Sequence, residues 1–109
     1  HALTEQLAEA AILCEVCPTS NLLLGVVDDL VEHPLPRMLD AGLRVSINTD
    51  DPGWFDTDLL TEIRIATDLG VDVDTHLDLQ RDALAASFAG TAVRRTVAAE
   101  LDAFERLHC

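Results

Sequence analysis

The sequence predicts an α/β fold in which short strands alternate with helices along the chain. Residues 11–16 (AILCEV) and 43–47 (LRVSI) have the length and apolar content of strands, and apolar residues at helical spacing precede, separate and follow them. Two strands are too few for a stable parallel sheet that is covered on both faces. We therefore expect residues 1–109 to be a single partial domain of a larger α/β fold.

The start of the chain supports this expectation. The chain begins at His1 and its one methionine is Met38, whereas a natural full-length product normally begins with methionine. Its hydrophobic content of 49% nevertheless favours a folded core over a disordered segment. We expect a segment of a longer protein, one that lacks the N-terminal part of the same domain.

The charge balance bears on the class of partner. The chain has 20 acidic and 7 basic residues, for a formal net charge of −13. We expect no nucleic-acid partner and no membrane partner, because phosphate backbones and anionic lipids need a basic surface. The sequence has no apolar run long enough to span a membrane and no secretory signal. Three cysteines outside a secretory context indicate reduced thiols and a cytoplasmic location.

The first third of the chain predicts a helix, a strand and a loop. An opening helix is indicated by apolar residues on one face, namely Leu3, Leu7 and Ala10. The strand at residues 11–16 follows. Residues 19–33 mix a polar triplet, an apolar triplet and an acidic pair, so we expect a long loop that can include a helical turn.

The middle of the chain predicts a helix that ends at Gly42, the strand at residues 43–47, and a loop over residues 48–57. A further helix should follow this loop. Either Asp56 or Thr57 is expected to cap its N-terminus.

The last third predicts helices. The preceding helix should end near Gly70, and Thr75 with Asp78 resembles a capping box at the start of the next helix. Phe88 continues the apolar spacing of that helix. A final amphipathic helix should begin after Gly90.

Asp50 and Asp51 stand immediately beyond the second strand. Functional groups gather at the carboxyl ends of parallel strands, and adjacent residues in an extended segment point to opposite sides. One aspartate could ligate a cation while the other accepts a hydrogen bond from a ligand. The alternative is that both are turn and capping residues, because Asp before Pro is common in turns.

Cys14 and Cys17 form a C-x-x-C pattern, which in other proteins binds zinc or performs redox chemistry. On a strand, residues three apart point to opposite faces and do not readily converge on one ion. We therefore favour two ordinary thiols.

Four motifs occur in order along the chain. They are CPTSN at residues 17–21, HPL at 33–35, DAGLRVSINTDDP at 40–52 and ASF at 86–88. Together they resemble the C-terminal portion of the adenosine deaminase family, which are zinc hydrolases on a (β/α)₈ barrel. The resemblance implies that the two strands are about the seventh and eighth of such a TIM barrel, followed by C-terminal helices.

The resemblance also implies roles for the acidic pair. Asp50 matches the aspartate that ligates Zn²⁺, and Asp51 matches the aspartate that hydrogen-bonds the purine ring. The implied reaction is hydrolytic deamination of adenosine to inosine and ammonia. The family's other metal ligands and its catalytic Glu and His have no match in this sequence. No catalytic residue is therefore assigned, and we expect the segment alone to be inactive.

The roles of three neighbouring side chains remain open. Ser20 and Asn21 either support the metal site by hydrogen bonds or satisfy loop backbone groups. His33 matches a family His-Pro pair, for which capping or packing is the favoured role.

Two alternative functions also remain open. The first is deamination of adenine or a modified adenosine within the same family. The second is a non-catalytic acidic α/β interaction module.

Overall fold

The computed structural model describes residues 2–109 as a two-stranded parallel sheet surrounded by helices. The first half contains α1 (Ala2–Glu9), β1 (Leu13–Val16), α2 (Pro18–Leu23), a 3₁₀ turn (Leu30–Glu32), α3 (Leu35–Asp40) and β2 (Arg44–Ile47). The second half contains α4 (Pro52–Phe55), α5 (Leu59–Asp68), α6 (Val73–Ala86) and α7 (Thr91–His108). The order of α1, β1, α3, β2 and α5 confirms the predicted alternation. No helix among the described residues is long and apolar enough to cross a membrane.

The two strands pair in parallel, with Leu13 opposite Arg44 and Val16 opposite Ile47. The pairing continues one step beyond the strands, since the Asn48 backbone N–H donates to the Val16 carbonyl at 2.8 Å. Parallel pairing needs a crossover connection, and here α2, the 3₁₀ turn and α3 supply it. The ends of both strands therefore face the same side of the domain.

The core lies where the helices cover this sheet. Among the described residues, the core consists of the buried hydrophobic side chains of Val16, Leu35, Leu43, Val45, Ile47, Ala66, Val71, Leu77 and Leu79. They come from both strands and from α3, α5 and α6 or the loops beside them. In β2 the last three residues are all buried, so side chains on both faces of the strand are covered.

Glycine ends two of the helices, as the sequence predicts. Gly42 follows α3 with φ of 79°, and Gly70 follows α5 with φ of 104°. These are left-handed conformations that glycine adopts at little steric cost. At Gly42, a backbone hydrogen bond from Leu43 to Met38 completes the turn and directs the chain into β2.

Two expected loops contain short helices. Residues 19–33 do not form one long loop, because α2 occupies the first part and the 3₁₀ turn the last. Likewise α4 lies inside the expected loop 48–57. The expectation was wrong because α2 has six residues and α4 has four, which is too short to show apolar periodicity.

The N-cap of α5 is Asp58 rather than Asp56 or Thr57. The Asp58 carboxylate accepts the Thr61 backbone N–H at 2.7 Å, and this bond lowers the pKa of Asp58 below its ordinary value. Asp56 instead ends α4 in a left-handed conformation, with φ of 50°. All three residues are favourable N-caps, so the end of the preceding helix decides which one is used.

The start of α6 and the position of Phe88 also differ from expectation. Asp72 caps α6 by accepting the Thr75 backbone N–H at 2.8 Å, so Thr75 lies inside the helix and is not its cap. The expected pairing of Thr75 with Asp78 as a capping box was wrong. Phe88 lies beyond the end of α6 and is fully exposed, at 107%. It therefore adds nothing to the core.

Helix α7 begins after Gly90, as predicted, and lies against α6. Arg81 of α6 holds it by donating to Asp102 and to Glu105, each at 2.8 Å. Hydrogen bonding to Asp102 raises the pKa of Arg81 above its ordinary value, and the charges of both acids add to the effect. This forked ion pair links α7 to α6 at the surface.

Truncating Leu35, whose side chain is 0% exposed, should destabilise the fold strongly. Leu35→Ala is expected to lower the free energy of unfolding by about 2–5 kcal/mol, because it leaves a cavity in the core. Val31→Ala is the matched control, since Val31 is 77% exposed and such surface changes stay within about 0.5 kcal/mol. Urea unfolding of both variants measures the difference. Equal stability of the two would contradict the placement of the core.

Candidate functional site

Asp50 lies at the carboxyl end of β2, on the side of the sheet where β1 also ends. Its backbone is left-handed, with φ of 59°. Aspartate tolerates this region better than most residues, but the conformation still carries strain. Strained residues of this kind concentrate at functional sites, where the surrounding structure holds them in place.

Ser20 makes a direct contact with Asp50. It lies in α2, immediately beyond β1, and is 2% exposed. Its hydroxyl Oγ donates to Oδ2 of Asp50 at 2.8 Å. The segment after β1 therefore fixes the carboxylate that follows β2, and the parallel pairing of the strands brings the two residues together.

Asp51 has a different partner. Its Oδ1 accepts the Trp54 backbone N–H at 3.2 Å, which makes it the N-cap of α4. Asp51 is exposed, and Trp54 on the same short helix is 82% exposed. The capping alternative thus describes what Asp51 does within this chain. A capping carboxylate still has acceptor positions available for a ligand.

Asn21 makes its side-chain hydrogen bond with His33 and none with Asp50. Nε2 of His33 lies 2.9 Å from Oδ1 of Asn21, and Nδ1 accepts the Leu35 backbone N–H at 3.0 Å. Because Nδ1 is an acceptor, Nε2 carries the proton and donates to Asn21. His33 is 5% exposed, and burial lowers its pKa below the ordinary value. It is a neutral histidine that ties α2 to the start of α3.

Glu62 is a buried acid that the sequence analysis did not single out. It lies in α5 at 0% exposure. Oε2 accepts the Thr19 backbone N–H at 3.0 Å, and Oε1 accepts the Thr57 hydroxyl at 2.6 Å. The sequence carried one signal, because Glu62 is three residues after Leu59 and four before Ala66. An acid on the apolar face of a helix indicates a buried polar partner.

Cys14 and Cys17 are free thiols. Cys17 precedes α2, and burial raises the pKa of its thiol above the ordinary value. The negative charges of Asp50, Glu15 and Glu62 raise that pKa further. A hydrogen bond from the Asp50 backbone opposes the rise without cancelling it. Cys17 is therefore held as a neutral thiol next to Asp50.

An open cleft of about 530 Å³ extends from Asp50 along the ends of the strands. The residues that line it are Glu15, Cys17, Ser46, Ile47, Asn48, Thr49, Asp50, Leu59, Leu79, Gln80 and Ala83. A separate apolar groove of about 430 Å³ lies between α5, α6 and α7 and does not reach Asp50. Asp50 therefore lies in the polar cleft and not in the apolar groove.

Within the described residues the site offers fewer than three ligands for a metal ion. Asp50 offers an exposed carboxylate whose orientation Ser20 fixes, and carboxylate oxygen is a common ligand of divalent metals. Among residues 2–109, no three His, Cys, Asp or Glu side chains lie close enough together to hold a metal ion. Any metal at Asp50 would need further ligands from outside these residues.

Comparisons with known proteins identify relatives of the chain. The family model described as adenosine deaminase matches residues 1–104. Over 71 residues the chain is 51% identical to the aminodeoxyfutalosine deaminase of Acidothermus cellulolyticus, covering 65% of this chain and 20% of that protein. Over 100 residues it is 39% identical to the adenine deaminase of Rhizobium leguminosarum bv. trifolii, covering 91% of this chain and 31% of that protein.

Solved structures agree with these matches. The adenine deaminase of Arthrobacter aurescens superposes with a TM-score of 0.88 at 30% identity, covering 96% of this chain and 32% of that one. Arabidopsis ADAL complexed with IMP superposes with a TM-score of 0.85 at 27% identity, covering 95% and 31%. The chain therefore spans at most about a third of the length of these proteins.

His33 should make stability depend on pH in a defined direction. The folded-state pKa of His33 lies below the ordinary value of 6.5. At pH values between the two, the unfolded chain therefore binds a proton at His33 that the folded chain does not. The stabilisation from neutral His33 is complete above pH 6.5 and is lost as pH falls through the folded-state pKa. Substituting His33→Asn can keep the bond to Leu35 while removing the titration, so it should flatten this part of the pH profile of stability.

Thermal unfolding between pH 5 and 8, which is about the range in which histidine titrates, measures this effect. His76→Gln is the control, because burial also lowers the pKa of His76. His76→Gln should remove the contribution of His76 to the pH dependence of stability and leave the contribution of His33. An unchanged profile in His33→Asn would contradict the buried, neutral assignment.

Proposed function

The chain belongs to the adenosine deaminase family, and we propose that it is the C-terminal third of a metal-dependent purine deaminase. In this proposal the whole protein hydrolyses the 6-amino group of an aminopurine and releases ammonia. Asp50 ligates the metal, Zn²⁺ by the family resemblance, and Asp51 binds the purine. The observation that carries the proposal is the Ser20–Asp50 hydrogen bond at the shared ends of β1 and β2.

The geometry around Asp50 supports its role as a ligand. A carboxylate that binds a metal is usually held by a hydrogen bond from a neighbouring group, which fixes its orientation. Ser20 supplies that bond through Oδ2, and the left-handed backbone of Asp50 fixes the position from which the side chain projects. When bound, a divalent metal supplies the acidity that lets water act as a nucleophile near neutral pH.

Exposed apolar surface supports the larger barrel. Side chains that a complete small domain would bury are exposed here, and they include Leu3 at 67%, Ile12 at 51%, Trp54 at 82% and Phe88 at 107%. The two-stranded sheet also leaves one edge of each strand unpaired. We place β1 and β2 as about the seventh and eighth strands of a (β/α)₈ barrel, whose remaining strands and helices would cover these surfaces.

The relatives bear on the substrate. Proteins named adenine deaminase and aminodeoxyfutalosine deaminase are among the matches. Their names favour adenine or a modified adenosine as the substrate over conversion of adenosine to inosine. A cytoplasmic location is part of the same proposal, and the free thiols of the three cysteines support it.

Asp50→Asn tests the metal role directly. In the whole protein this change should remove bound metal and deaminase activity together, because the amide is a far weaker ligand than the carboxylate. Metal content by mass spectrometry and ammonia release from adenine, adenosine and a modified adenosine measure both. Asp72→Asn, at the exposed cap of α6, is the control and should keep both. Metal content and activity unchanged in Asp50→Asn would disprove the assignment.

Asp51→Asn separates substrate binding from capping. Asparagine caps a helix about as well as aspartate, so α4 should be preserved and the thermal midpoint unchanged. The KM for the purine should rise by roughly tenfold or more, as expected when a hydrogen bond to a charged group is lost. Asp58→Asn makes the same change at the N-cap of α5 and should leave KM unchanged. If both variants keep the wild-type KM, Asp51 is a capping residue only.

A further inference from the structure

Glu62 is a fully buried acid that the proposed reaction does not use. A buried carboxyl group is costly unless its oxygens are hydrogen-bonded, and here each oxygen accepts one bond. Among the described residues no buried polar side-chain atom lacks a partner. Its neighbours along the face of α5, Leu59 and Ala66, are apolar.

The two bonds of Glu62 reach segments that follow different strands. Thr19 lies in the first turn of α2, just after β1, and donates its backbone N–H to Oε2. Thr57 lies between α4 and α5, just after the segment that leaves β2, and donates its hydroxyl to Oε1. One side chain thus connects the two loops at the carboxyl ends of the parallel strands.

Both of these segments adjoin Asp50. Thr19 is followed by Ser20, whose hydroxyl holds Oδ2 of Asp50 at 2.8 Å. Thr57 closes α4 through a backbone hydrogen bond to the Pro52 carbonyl at 3.1 Å, and α4 starts two residues after Asp50. The strained backbone of Asp50 is therefore held on both sides by segments that Glu62 anchors.

Building on the function proposed above, we infer that Glu62 is a positioning residue for the metal-ligating carboxylate of Asp50. It acts through Thr19 and Ser20 on one side and through Thr57 and α4 on the other. Glu62 bonds Thr19 and Thr57 and has no hydrogen bond to Asp50 itself. Its loss should loosen the orientation of the Asp50 carboxylate, and so weaken metal binding, without removing a ligand.

Substitutions at Glu62 separate hydrogen bonding from charge and from volume. Glu62→Gln can accept from the Thr19 N–H and donate to the Thr57 hydroxyl, so it keeps both connections without the charge. Glu62→Leu has a similar volume and makes neither bond. Glu62→Asp keeps the carboxyl group but is one methylene shorter, so it cannot hold both partners at their present distances. This milder variant serves if Glu62→Leu fails to fold.

The experiment is a Zn²⁺ titration of the whole protein, stripped of metal, against a chromophoric chelator, followed by kcat and KM of the reloaded enzyme. Glu62→Leu and Glu62→Asp should bind Zn²⁺ about 10-fold or more weakly, which is typical when a supporting hydrogen bond to a ligand is lost. Their kcat should fall and their KM for adenine should stay unchanged. Glu62→Gln should restore binding close to wild type.

Two controls separate positioning from general destabilisation. Val71→Ala removes part of a side chain that is 4% exposed, so it should lower the thermal midpoint while the folded protein keeps its Zn²⁺ affinity. In a Ser20→Ala background, Glu62→Leu should weaken Zn²⁺ binding less than it does in wild type, because part of its effect passes through Ser20. Full additivity would show that Glu62 does not act through Ser20 and would overturn the inference.

The outcomes distinguish the inference from the function on which it rests. If wild type binds no Zn²⁺, or Asp50→Asn binds it equally well, the proposed function fails and the role of Glu62 fails with it. If wild type binds, Asp50→Asn does not, and the Glu62 variants match Val71→Ala in affinity, the function stands and Glu62 is merely structural. Loss of affinity in Glu62→Gln as large as in Glu62→Leu would also contradict positioning by hydrogen bonds.

Discussion

Parallel pairing of β1 with β2 is the constraint on which the rest of this structure depends. It sets residues after Val16 and residues after Ile47 at the same edge of the sheet, although about thirty positions separate them along the chain. Ser20 and Asp50 meet only because of this register. A shift of one residue in the pairing would move the side chains of one strand to the opposite face and break the contact. The candidate site is thus a direct product of the sheet.

The site combines an exposed carboxylate with a buried frame. Asp50 lines the cleft, while Ser20, His33 and Glu62 are almost wholly buried and each makes side-chain hydrogen bonds, Ser20 directly to Asp50. Buried polar networks rigidify a structure when every member is satisfied, because breaking one bond leaves its partner unpaired. This division suits a metal ligand, which must be accessible to the ion and yet fixed in direction. In the proposed function, these buried residues hold the geometry and Asp50 binds the metal.

The sequence predicted those parts of the fold that depend on local pattern. Apolar spacing located α1, α3, α5 and α7, and glycine marked the ends at Gly42 and Gly70. Short helices such as α2 and α4 were not predicted, because fewer than two turns leave no apolar period to detect. The cap at Asp58 could not be chosen over Asp56 because the choice depends on where α4 ends.

The candidate site was likewise predictable from the sequence only in part. The strand pattern of residues 43–47 predicted that Asp50 lies beyond a strand. Its proposed role followed because functional residues gather at strand ends. Its bond to Ser20, and the bond of Glu62 to Thr19, join residues 30 and 43 positions apart. No local pattern encodes contacts over such separations. They depend on tertiary structure and could be seen only once the strands were paired.

Anomalous diffraction at the zinc absorption edge, from crystals of the whole protein, tests the central claim most directly. The account predicts a metal peak about 2.0–2.2 Å from a carboxylate oxygen of Asp50, with Oδ2 still bonded to Ser20. A peak away from Asp50, or bound metal that this carboxylate does not contact, would contradict it. Asp50 and Asp51 would then be only a turn residue and a helix cap.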